Sequence, residues 1–266
     1  MKKKIFISGG SGVIGRSLVK LLLRKKYEVY VADLKDQPHD FRDKVYYRKG
    51  NLNFLTENEI KSFKPDVFVH LAAVFERTKE TYEFYENNFQ NNIQLSNYLL
   101  KIFSKLKSVK KIIYASSYLT YDEKYYMKKG DVIDYPINEN INLNPRNLIG
   151  AAKLYHEKEL ELIKRFKKNK QISILRIFRG YGCGSNDIVS RWVRKALNNK
   201  PLEVYGENGK FDYIFSDDSA SALLKLIEKN FNNNKNNIFN LGSGRNYKIR
   251  DLLGILKKKF KKLKII

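Results

Sequence analysis

The feature that most constrains this chain is a glycine-rich turn close to its start, set between a strand-like and a helix-like segment. Residues 5–7 are β-forming, and glycines then fall at Gly9, Gly12 and Gly15 before an apolar run with helical spacing. In such a unit the first glycine permits a tight turn, the second a close backbone approach to a pyrophosphate, and the third close packing of helix on strand. The free N–H groups of the helix start add a partial positive charge. The stretch therefore predicts a phosphate-binding turn.

A carboxylate follows the second strand-like segment. Residues 27–32 are rich in β-forming side chains, and Asp33 comes directly after them. An acid about 20 residues beyond the glycine turn is placed to accept hydrogen bonds from the adenosine ribose of a dinucleotide. Glycine spacing alone is a weak signal, because glycine-rich turns occur in many α/β proteins. Turn, helix and acid together predict a dinucleotide site.

Strand-like and helix-like segments alternate beyond Asp33. Strand-like runs cover 45–48, 67–70, 110–114 and 172–178, and helix-like runs cover 82–104 and 147–166. Thr56 and Glu59 have the spacing of a capping box at the start of a short helix. This alternation predicts an α/β fold with a Rossmann-type, doubly wound parallel sheet, whose ligands bind at the carboxyl ends of the strands.

The pattern changes after residue 179. Helix-like runs at 189–197 and 219–228 are separated by short strand-like pieces at 202–205, 213–215 and 238–241. We expect a dinucleotide-binding core over residues 1–179. A small C-terminal α+β lobe over residues 180–266 is expected to bind substrate and to be partly interleaved with the core.

The chain is strongly basic, with a formal net charge of +24 over 266 residues. Its lysines are spread over nearly every predicted helix. The denser runs at 164–170 and 257–264 lie where helices or the chain end, which is typical of solvated faces. Zinc-ligand spacings, aromatic RNA-binding signatures and helix-turn-helix patterns are absent from the sequence. We therefore expect no metal site and no specific nucleic-acid partner.

Membrane insertion and secretion are not expected either. No apolar run is long enough to cross a bilayer, and the first residues have the pattern of a strand rather than of a signal peptide. Cys183 is the single cysteine, so it cannot form an internal disulfide. These features predict a cytoplasmic protein, because unpaired cysteines are usual in reducing compartments.

Short motifs follow one another along the chain in a fixed order. They are Gly9-x-x-Gly12-x-x-Gly15, Asp33, Asn51-Leu52, His70-Leu71-Ala72-Ala73, Asn88, Ser116-Ser117, Lys153, Leu175-Arg176-Ile177-Phe178, Val204-Tyr205-Gly206, Asp217-Asp218 and Leu241-Gly242-Ser243-Gly244. In this order they resemble the extended short-chain dehydrogenase/reductases, the NAD-dependent epimerase/dehydratase family that acts on nucleotide sugars. The resemblance spans nearly the whole chain and implies the same fold.

The resemblance implies a cofactor and the residues that bind it. Asp33 is similar to the family's NAD-selecting acid, so NAD is expected rather than NADP. Asn51 and Leu52 stand where an Asp-Leu pair contacts adenine in the family. The full set of implied cofactor-binding residues is Gly9, Gly12, Val13, Ile14, Gly15, Asp33, Asn51, Leu52, Leu71, Ala72, Ala73, Asn88, Ala115 and Lys153.

The resemblance also implies two catalytic residues and reveals one departure. Ser117 corresponds to the serine that hydrogen-bonds the reacting oxygen, and Lys153 to the lysine that holds the nicotinamide ribose. The family's proton-transferring tyrosine lies four residues before the lysine, on the same helix face, where the ammonium lowers its pKa. Here that position is Ile149. The candidate replacements are Tyr118, Tyr121, a loop tyrosine such as Tyr126, or a bound water.

Two further departures lie where the family binds its substrate. Arg179 replaces an asparagine, and Phe211 replaces the arginine that binds the diphosphate, with Lys210 beside it. Arg179 either binds a phosphate of the substrate, which suits a bidentate guanidinium, or pairs with an acid nearby. Ser117, Arg179 and Lys210 are therefore the substrate-binding candidates.

The residues after Ser117 bear on the type of reaction. Tyr118 and Leu119 occupy the positions of an acidic pair that dehydratases of the family use to remove water. Their identity favours C4 ketoreduction, oxidation or epimerisation of a nucleotide-linked sugar over 4,6-dehydration. The alternative is a non-catalytic dinucleotide-binding protein, such as a regulator or the partner subunit of an active homologue. The resemblance further implies a homodimer that pairs through the helices over 82–104 and 147–166.

Overall fold

A parallel sheet of seven strands forms the centre of the computed structural model, which describes residues 3–75, 80–126, 136–204, 209–231 and 237–266. The strands of the described residues are β1 (Lys4–Ser8), β2 (Glu28–Asp33), β3 (Tyr46–Lys49), β4 (Val67–His70), β5 (Lys111–Ser117), β6 (Gln171–Ile177), β7 (Arg179–Tyr181), β8 (Lys210–Phe215), β9 (Asn237–Leu241) and β10 (Asn246–Lys248). The large sheet has the order β3-β2-β1-β4-β5-β6-β9, with every neighbouring pair parallel. The strand order changes direction between β1 and β4, so the predicted doubly wound parallel sheet is confirmed.

Helices cover both faces of this sheet. Those of the described residues are α1 (Val13–Arg24), α2 (Glu57–Phe63), α3 (Tyr82–Asn88), α4 (Leu95–Lys105), α5 (Leu148–Phe166), α6 (Ile188–Leu197), α7 (Ser216–Glu228) and α8 (Ile249–Lys259). On β1, Ile5 and Ile7 belong to a core shared with α1 and α7, whereas Phe6 belongs to a core shared with α4 and α5. The alternation of strand side chains thus gives each face its own apolar layer.

Two helix starts are fixed by side-chain caps. At α2 the Thr56 hydroxyl accepts the Glu59 N–H at 3.2 Å, and the Glu59 carboxylate accepts the Thr56 N–H at 2.7 Å, which is the capping box that the sequence predicts. At α5 the Asn147 side chain accepts the Gly150 N–H at 2.8 Å. The Asn147 cap therefore starts α5 just before Ile149, the position at which the family's tyrosine is expected.

The helix predicted over 82–104 contains an irregular segment. α3 passes into a π-helical stretch at Phe89–Gln94, and this stretch passes directly into α4. Asn92 lies in the stretch, and its side chain bonds to the N–H of Val74 at 2.9 Å and to the carbonyl of Val74 at 3.0 Å. The π segment therefore presents an amide to the chain leaving β4, and such segments are frequent at functional sites.

The residues beyond 179 form a second sheet and also complete the first. β10, β8 and β7 make a three-stranded sheet among the described residues. Phe211 and Tyr213 of β8 belong to an apolar cluster that also contains Trp192. β9 is a strand of the large sheet, paired with β6, and α7 packs on α1. Of the strand-like pieces expected here, Leu202 forms an isolated bridge with Ile265 instead of a strand. Tyr205 and Gly206 lie outside the described residues.

Candidate active site

The turn between β1 and α1 is built from close backbone approaches. Gly9 has a φ of +76°, and a Cβ on it would lie 2.6 Å from the backbone nitrogen of Ala72, in the segment that leaves β4. A Cβ on Gly15 would lie 2.5 Å from the carbonyl oxygen of Gly9. Gly12 is the N-cap of α1 and donates its N–H to the same carbonyl at 3.2 Å. The glycines therefore bring the helix start, the turn and the end of β4 into backbone contact.

The N-terminus of α1 has no capping side chain among the described residues, and its first turn carries no acid. In other helices, Thr56, Thr81, Asn147 and Asp187 cap the starts of α2, α3, α5 and α6 with side-chain oxygens. The first-turn N–H groups of α1, at residues 13–15, lie instead at the carboxyl edge of the sheet. Uncapped N–H groups at such an edge fit the pyrophosphate of a dinucleotide.

Asp33 is the last residue of β2 and lies beside the glycine turn. Its carboxylate accepts the Ser11 N–H at 2.8 Å and the Lys35 N–H at 3.0 Å. Tyr47 on β3 joins this group, because its hydroxyl accepts from Ser11 Oγ at 2.6 Å and donates to the Lys35 carbonyl at 2.7 Å. The arrangement holds the acid next to the turn, where the ribose of a bound dinucleotide would need it.

The segment that leaves β4, residues 71–73, passes against the glycine turn. It is followed by Val74, which is held by the side chain of Asn92. Asn88 is buried, and its side-chain oxygen accepts from the Asn92 amide at 2.7 Å. Asn88 therefore orients the Asn92 amide, which in turn holds Val74 in the segment that leaves β4.

His70, at the end of β4, is a buried link between elements. Its ring bonds to Ser8 Oγ at 2.6 Å and to Ser96 Oγ at 2.9 Å. Burial holds the pKa of the imidazole well below its usual range, so the ring stays neutral. It therefore joins β1, β4 and α4, and both of its nitrogens are engaged in that role.

Asn51 and Leu52 follow β3 at the same edge of the sheet. The Asn51 side chain is exposed, and its oxygen accepts the Asn53 N–H at 2.9 Å, which caps a short 3₁₀ turn. Leu52 is buried in the apolar layer that contains Phe6. The structure thus places Asn51 at the surface of the edge and Leu52 beneath it.

Ser117 ends β5, and Lys153 lies in α5 against the same strand. The Lys153 ammonium donates to the carbonyl of Ala115 at 2.8 Å and lies 4.8 Å from the centre of the Tyr114 ring. Burial lowers the pKa of Lys153 to about 8. Ser117 is partly exposed, and its Oγ accepts the Leu119 N–H at 3.2 Å. The structure therefore brings an ammonium and a hydroxyl to the last residues of β5.

Ile149 stands four residues before Lys153 and is 2% exposed. It belongs to an apolar cluster that also contains Tyr118 and Leu119. A Cβ on the neighbouring Gly150 would collide with the Leu119 carbonyl oxygen, so this turn of α5 packs directly on the chain that leaves β5. The position at which the resemblance implies a tyrosine is thus occupied by a buried aliphatic side chain, which cannot exchange a proton.

A buried ionic network lies behind the end of β5. Arg176 on β6 forms a salt bridge with Glu157 on α5 at 2.7 Å, and the two side chains are 2% and 1% exposed. Ser116 Oγ donates to the Glu157 carboxylate at 2.5 Å. Arg176 also donates to the Tyr121 hydroxyl at 2.9 Å, and that hydroxyl donates to Asn240 at 2.7 Å. The network connects β5, β6, β9 and α5.

Arg179 begins β7, directly beyond the end of β6. Its Nε donates to the Tyr118 hydroxyl at 3.2 Å, and its guanidinium carbon lies 3.3 Å from the centre of the Phe211 ring. No carboxylate of the described residues forms a salt bridge with it. Lys210 begins β8, opposite Lys248 and adjacent to Phe211 in sequence. Tyr213 on β8 is in register with Arg179 and interacts with its guanidinium. The guanidinium therefore has two phenols and an aromatic ring as neighbours.

Sequence reasoning missed Ser11, Asn92 and Glu157. Asn92 and Glu157 each lie one helical turn after a residue that it did identify, Asn88 and Lys153, so the spacing of four was an available signal. Ser11 contributes a backbone N–H to Asp33, and a backbone donor leaves no mark on residue type.

Neither a membrane span nor a metal centre is found in the part of the chain that the structure describes. No helix there has both the length and the apolar composition that crossing a membrane requires. No three His, Cys, Asp or Glu side chains there are grouped so as to hold a metal ion.

A solved structure shares this fold closely. The UDP-glucuronic acid 4-epimerase from Bacillus cereus, in complex with UDP-glucuronic acid and NAD, matches with a TM-score of 0.85 and 23% sequence identity. The match covers 99% of this chain and 85% of that one. At this identity the likeness establishes the fold.

Sequence comparisons assign the family. The chain is 28% identical to dTDP-D-glucose 4,6-dehydratase of Dictyostelium discoideum, over 91% of this chain and 58% of that protein. It is 25% identical to UDP-glucose 4-epimerase of Lactobacillus helveticus, over 96% of this chain and 81% of that protein. The sequence model of one family matches residues 5–242, which is most of the chain. The protein therefore belongs to the NAD dependent epimerase/dehydratase family.

Proposed function

We propose that this protein is an NAD-dependent enzyme that oxidises, reduces or epimerises a nucleotide-linked sugar at C4. The observation that carries the proposal is the arrangement at the end of β5, where Lys153 reaches Ala115 close to Ser117. Family membership supports NAD as cofactor and a nucleotide sugar as substrate. A hydroxyl donor and a cation at one strand end suit a reaction in which charge develops on a sugar oxygen.

The cofactor-binding role rests on the glycine turn and the strand ends around it. The first turn of α1, after Gly12, would hold the pyrophosphate, and Asp33 would hold the adenosine ribose. Lys153 would hold the nicotinamide ribose, and Ser117 would hydrogen-bond the reacting oxygen. NAD, when bound, supplies the acceptor or donor of hydride.

Arg179 is the proposed phosphate-binding residue for the substrate. Its described neighbours include Tyr118, Tyr213 and Phe211, and no described carboxylate forms a salt bridge with it, so its charge is available to an anion. Lys210 is the second candidate, because it adjoins Phe211 on β8. Arg179→Ala is expected to weaken nucleotide-sugar affinity at unchanged NADH affinity, measured by calorimetric titration. Unchanged nucleotide-sugar affinity would remove Arg179 from the substrate site.

The residues after Ser117 separate the reactions found among the relatives, which include an epimerase and a 4,6-dehydratase. Tyr118 and Leu119 follow Ser117, and both are buried. Neither carries a carboxylate, so removal of water from the sugar has no acidic pair at this place. We therefore favour oxidation, reduction or epimerisation at C4 over dehydration.

A second candidate function is non-catalytic NAD binding, as a regulator or as the partner subunit of an active homologue. The buried Ile149 favours it, because that position carries no proton-transferring group. The two functions differ in whether NADH absorbance changes when candidate nucleotide sugars and their 4-keto forms are supplied.

The assay has matched variants. Turnover that is lost in Ser117→Ala and in Lys153→Met, and kept in Ser221→Ala on the exposed side of α7, supports the enzyme. NAD binding without turnover supports the second candidate. A purified protein that binds neither NAD nor NADP overturns both.

We also propose a homodimer that resides in the cytoplasm. Tyr82 and Tyr85 on α3 are 71% and 49% exposed, and Tyr155 and Leu162 on α5 are also exposed. α3 and α5 contact each other, so a second copy could cover both apolar surfaces together. Sedimentation at micromolar concentration that shows only monomer would contradict the dimer. The cytoplasm is proposed because Cys183 is a free, exposed thiol.

A further inference from the structure

The proposed reaction needs a group that moves a proton at the sugar oxygen, and the structure separates the candidate tyrosines. Tyr121 is buried, and its hydroxyl is engaged with Asn240 and Arg176 in the network behind β5. Burial raises the pKa of the Tyr126 phenol to about 12, which makes it a poor proton carrier near neutral pH. The hydroxyl of Tyr118, in contrast, accepts a hydrogen bond from Arg179.

Tyr118 directly follows Ser117 at the carboxyl end of β5. In the sheet Ser117 is in register with Ile177 on β6, and Arg179 lies just beyond Ile177. The hydrogen bond from Arg179 Nε to the Tyr118 hydroxyl, at 3.2 Å, therefore joins the chains that leave β5 and β6. Ligands bind at this edge in sheets of this type. The chain thus presents a phenol there with a cation as its hydrogen-bond donor.

The Tyr118 ring packs in the same apolar cluster as Ile149 on α5. It is 9% exposed and stacks on Phe178, with ring centres 5.5 Å apart. Leu119, in the same cluster, contacts the first turn of α5. The phenol therefore belongs to the segment that packs on the helical turn from which the family's tyrosine is missing.

We propose that Tyr118 transfers the proton in this enzyme, with Arg179 as its positioning residue. The inference rests on the proposed function. In oxidation the sugar hydroxyl gives its proton to the phenolate oxygen of Tyr118. The C4–H bond breaks, its electron pair leaves as hydride to NAD, which becomes NADH, and the C4–O bond becomes a carbonyl. In reduction each transfer runs in reverse.

Arg179 serves this step without losing its proposed role toward phosphate. Its Nε–H stabilises negative charge on the Tyr118 oxygen. A guanidinium has about five N–H donors, so donors remain for a phosphate besides those directed at Tyr118 and Tyr213. Ser117 would donate to the same sugar oxygen that exchanges the proton.

Tyr118→Phe tests the inference, because it removes the hydroxyl and keeps the ring that stacks on Phe178. We expect kcat to fall about 10²–10⁴-fold, with KM for the nucleotide sugar, NADH affinity and melting temperature unchanged. Tyr126→Phe is the matched control, since it removes a neighbouring phenol hydroxyl from the same cluster and should leave kcat unchanged.

A double-mutant cycle supplies the second measurement. Arg179→Gln should reduce kcat in the wild-type chain and have a smaller effect in the Tyr118→Phe background, because both changes disable one step. Additive losses in kcat would overturn the coupling between the two residues.

The possible failures are distinguishable. If wild-type protein turns over and Tyr118→Phe matches it, the role of Tyr118 is wrong and the proposed function stands. If Tyr118→Phe has a lower NADH affinity or a lower melting temperature, the Tyr118 hydroxyl has a structural role and the inference is also wrong. If wild-type protein binds NAD but converts no nucleotide sugar, the proposed function fails, and the role of Tyr118 with it.

Discussion

The two halves of the candidate site are held together by different means. Around the glycine turn between β1 and α1, the contacts are between backbone atoms: Gly9 lies against Ala72 so closely that a Cβ would collide. Around the end of β5, the contacts come from buried charges. Lys153 is held by a backbone carbonyl, and Arg176 is paired with Glu157 in the interior. The first half depends on the absence of side chains, and the second depends on particular ones.

This difference indicates where each half tolerates change. A turn made of backbone contacts is sensitive at its glycines and insensitive at most other positions. A buried charge needs its partner, because an ion left alone in the interior is strongly destabilising. The second half also contains Ile149, Arg179 and Phe211, the positions at which the sequence predicts departures from the family's pattern. Side chains there can change while the glycine turn stays as it is.

The largest expected effect comes from breaking the buried pair. Arg176→Met leaves the Glu157 carboxylate without its cation, and the free energy of unfolding should fall by about 3–5 kcal/mol. Lys195→Met is the control, because it breaks a more exposed pair with Glu203 and should leave the free energy of unfolding nearly unchanged. Urea denaturation followed by circular dichroism measures both. Equal losses would show that buried charge does not hold this half together.

The next effect is expected at the glycine turn between β1 and α1. Gly9→Ala adds a Cβ 2.6 Å from the Ala72 nitrogen at a φ of +76°, whereas Gly244→Ala meets the same φ with no atom within 4 Å. The φ costs each variant roughly 1–2 kcal/mol, and the collision adds about 1–2 kcal/mol in Gly9→Ala alone. Titration of NADH fluorescence should show weaker binding only in Gly9→Ala. Equal NADH affinities would contradict the view that backbone contact builds this half.

The same contrast explains how much the sequence could predict. Missing Cβ atoms are visible in a sequence, so the spacing of Gly9, Gly12 and Gly15 predicts the turn directly. The alternation of strand and helix patterns likewise predicts the doubly wound sheet. The link from Asn92 to Val74 was not predictable in this way, because it depends on a π-helical segment that departs from the usual helical period.

The half of the candidate site at the end of β5 was predictable only in part. Ile149 and Arg179 are visible in the sequence as departures from a pattern. The partner of Arg179 is not, because Tyr118 is 61 residues away along the chain and meets it only once β5 and β6 are paired. Which side chain a buried or half-buried charge meets is decided by packing between distant segments, and residue spacing does not encode it.

The pH dependence of kcat/KM gives a third test of the contrast between the two halves. Burial lowers the pKa of Lys153 to about 8, so its ammonium loses its proton as the pH rises through that value. If the cation is required, kcat/KM should fall about tenfold per pH unit above the pKa. Lys153→Arg stays charged throughout this range and should lack the alkaline fall. An identical alkaline fall of kcat/KM in Lys153→Arg would mean that another group causes the fall.

Stability should change in the opposite sense over the same range. An unfolded lysine has a pKa of about 10.4. Between about pH 8 and 10 the unfolded chain therefore binds more protons at Lys153 than the folded chain, and this residue's contribution to the free energy of unfolding rises with pH. Activity that falls while the melting temperature holds would separate loss of the cation from alkaline unfolding. A parallel decline of both would contradict the assignment.

The smallest effect is expected from a side-chain hydroxyl beside the glycine turn. Tyr47 links Ser11 Oγ and the Lys35 carbonyl, so Tyr47→Phe should lower the free energy of unfolding by about 1 kcal/mol. NADH affinity should change by less than about threefold, or roughly 0.6 kcal/mol. Asp33 is still held by the backbone N–H groups of Ser11 and Lys35, which the substitution leaves in place. Titration of NADH fluorescence measures the change. A tenfold loss of affinity would mean that a side chain positions the acid, and the contrast between the two halves would then fail at the point where it is most explicit.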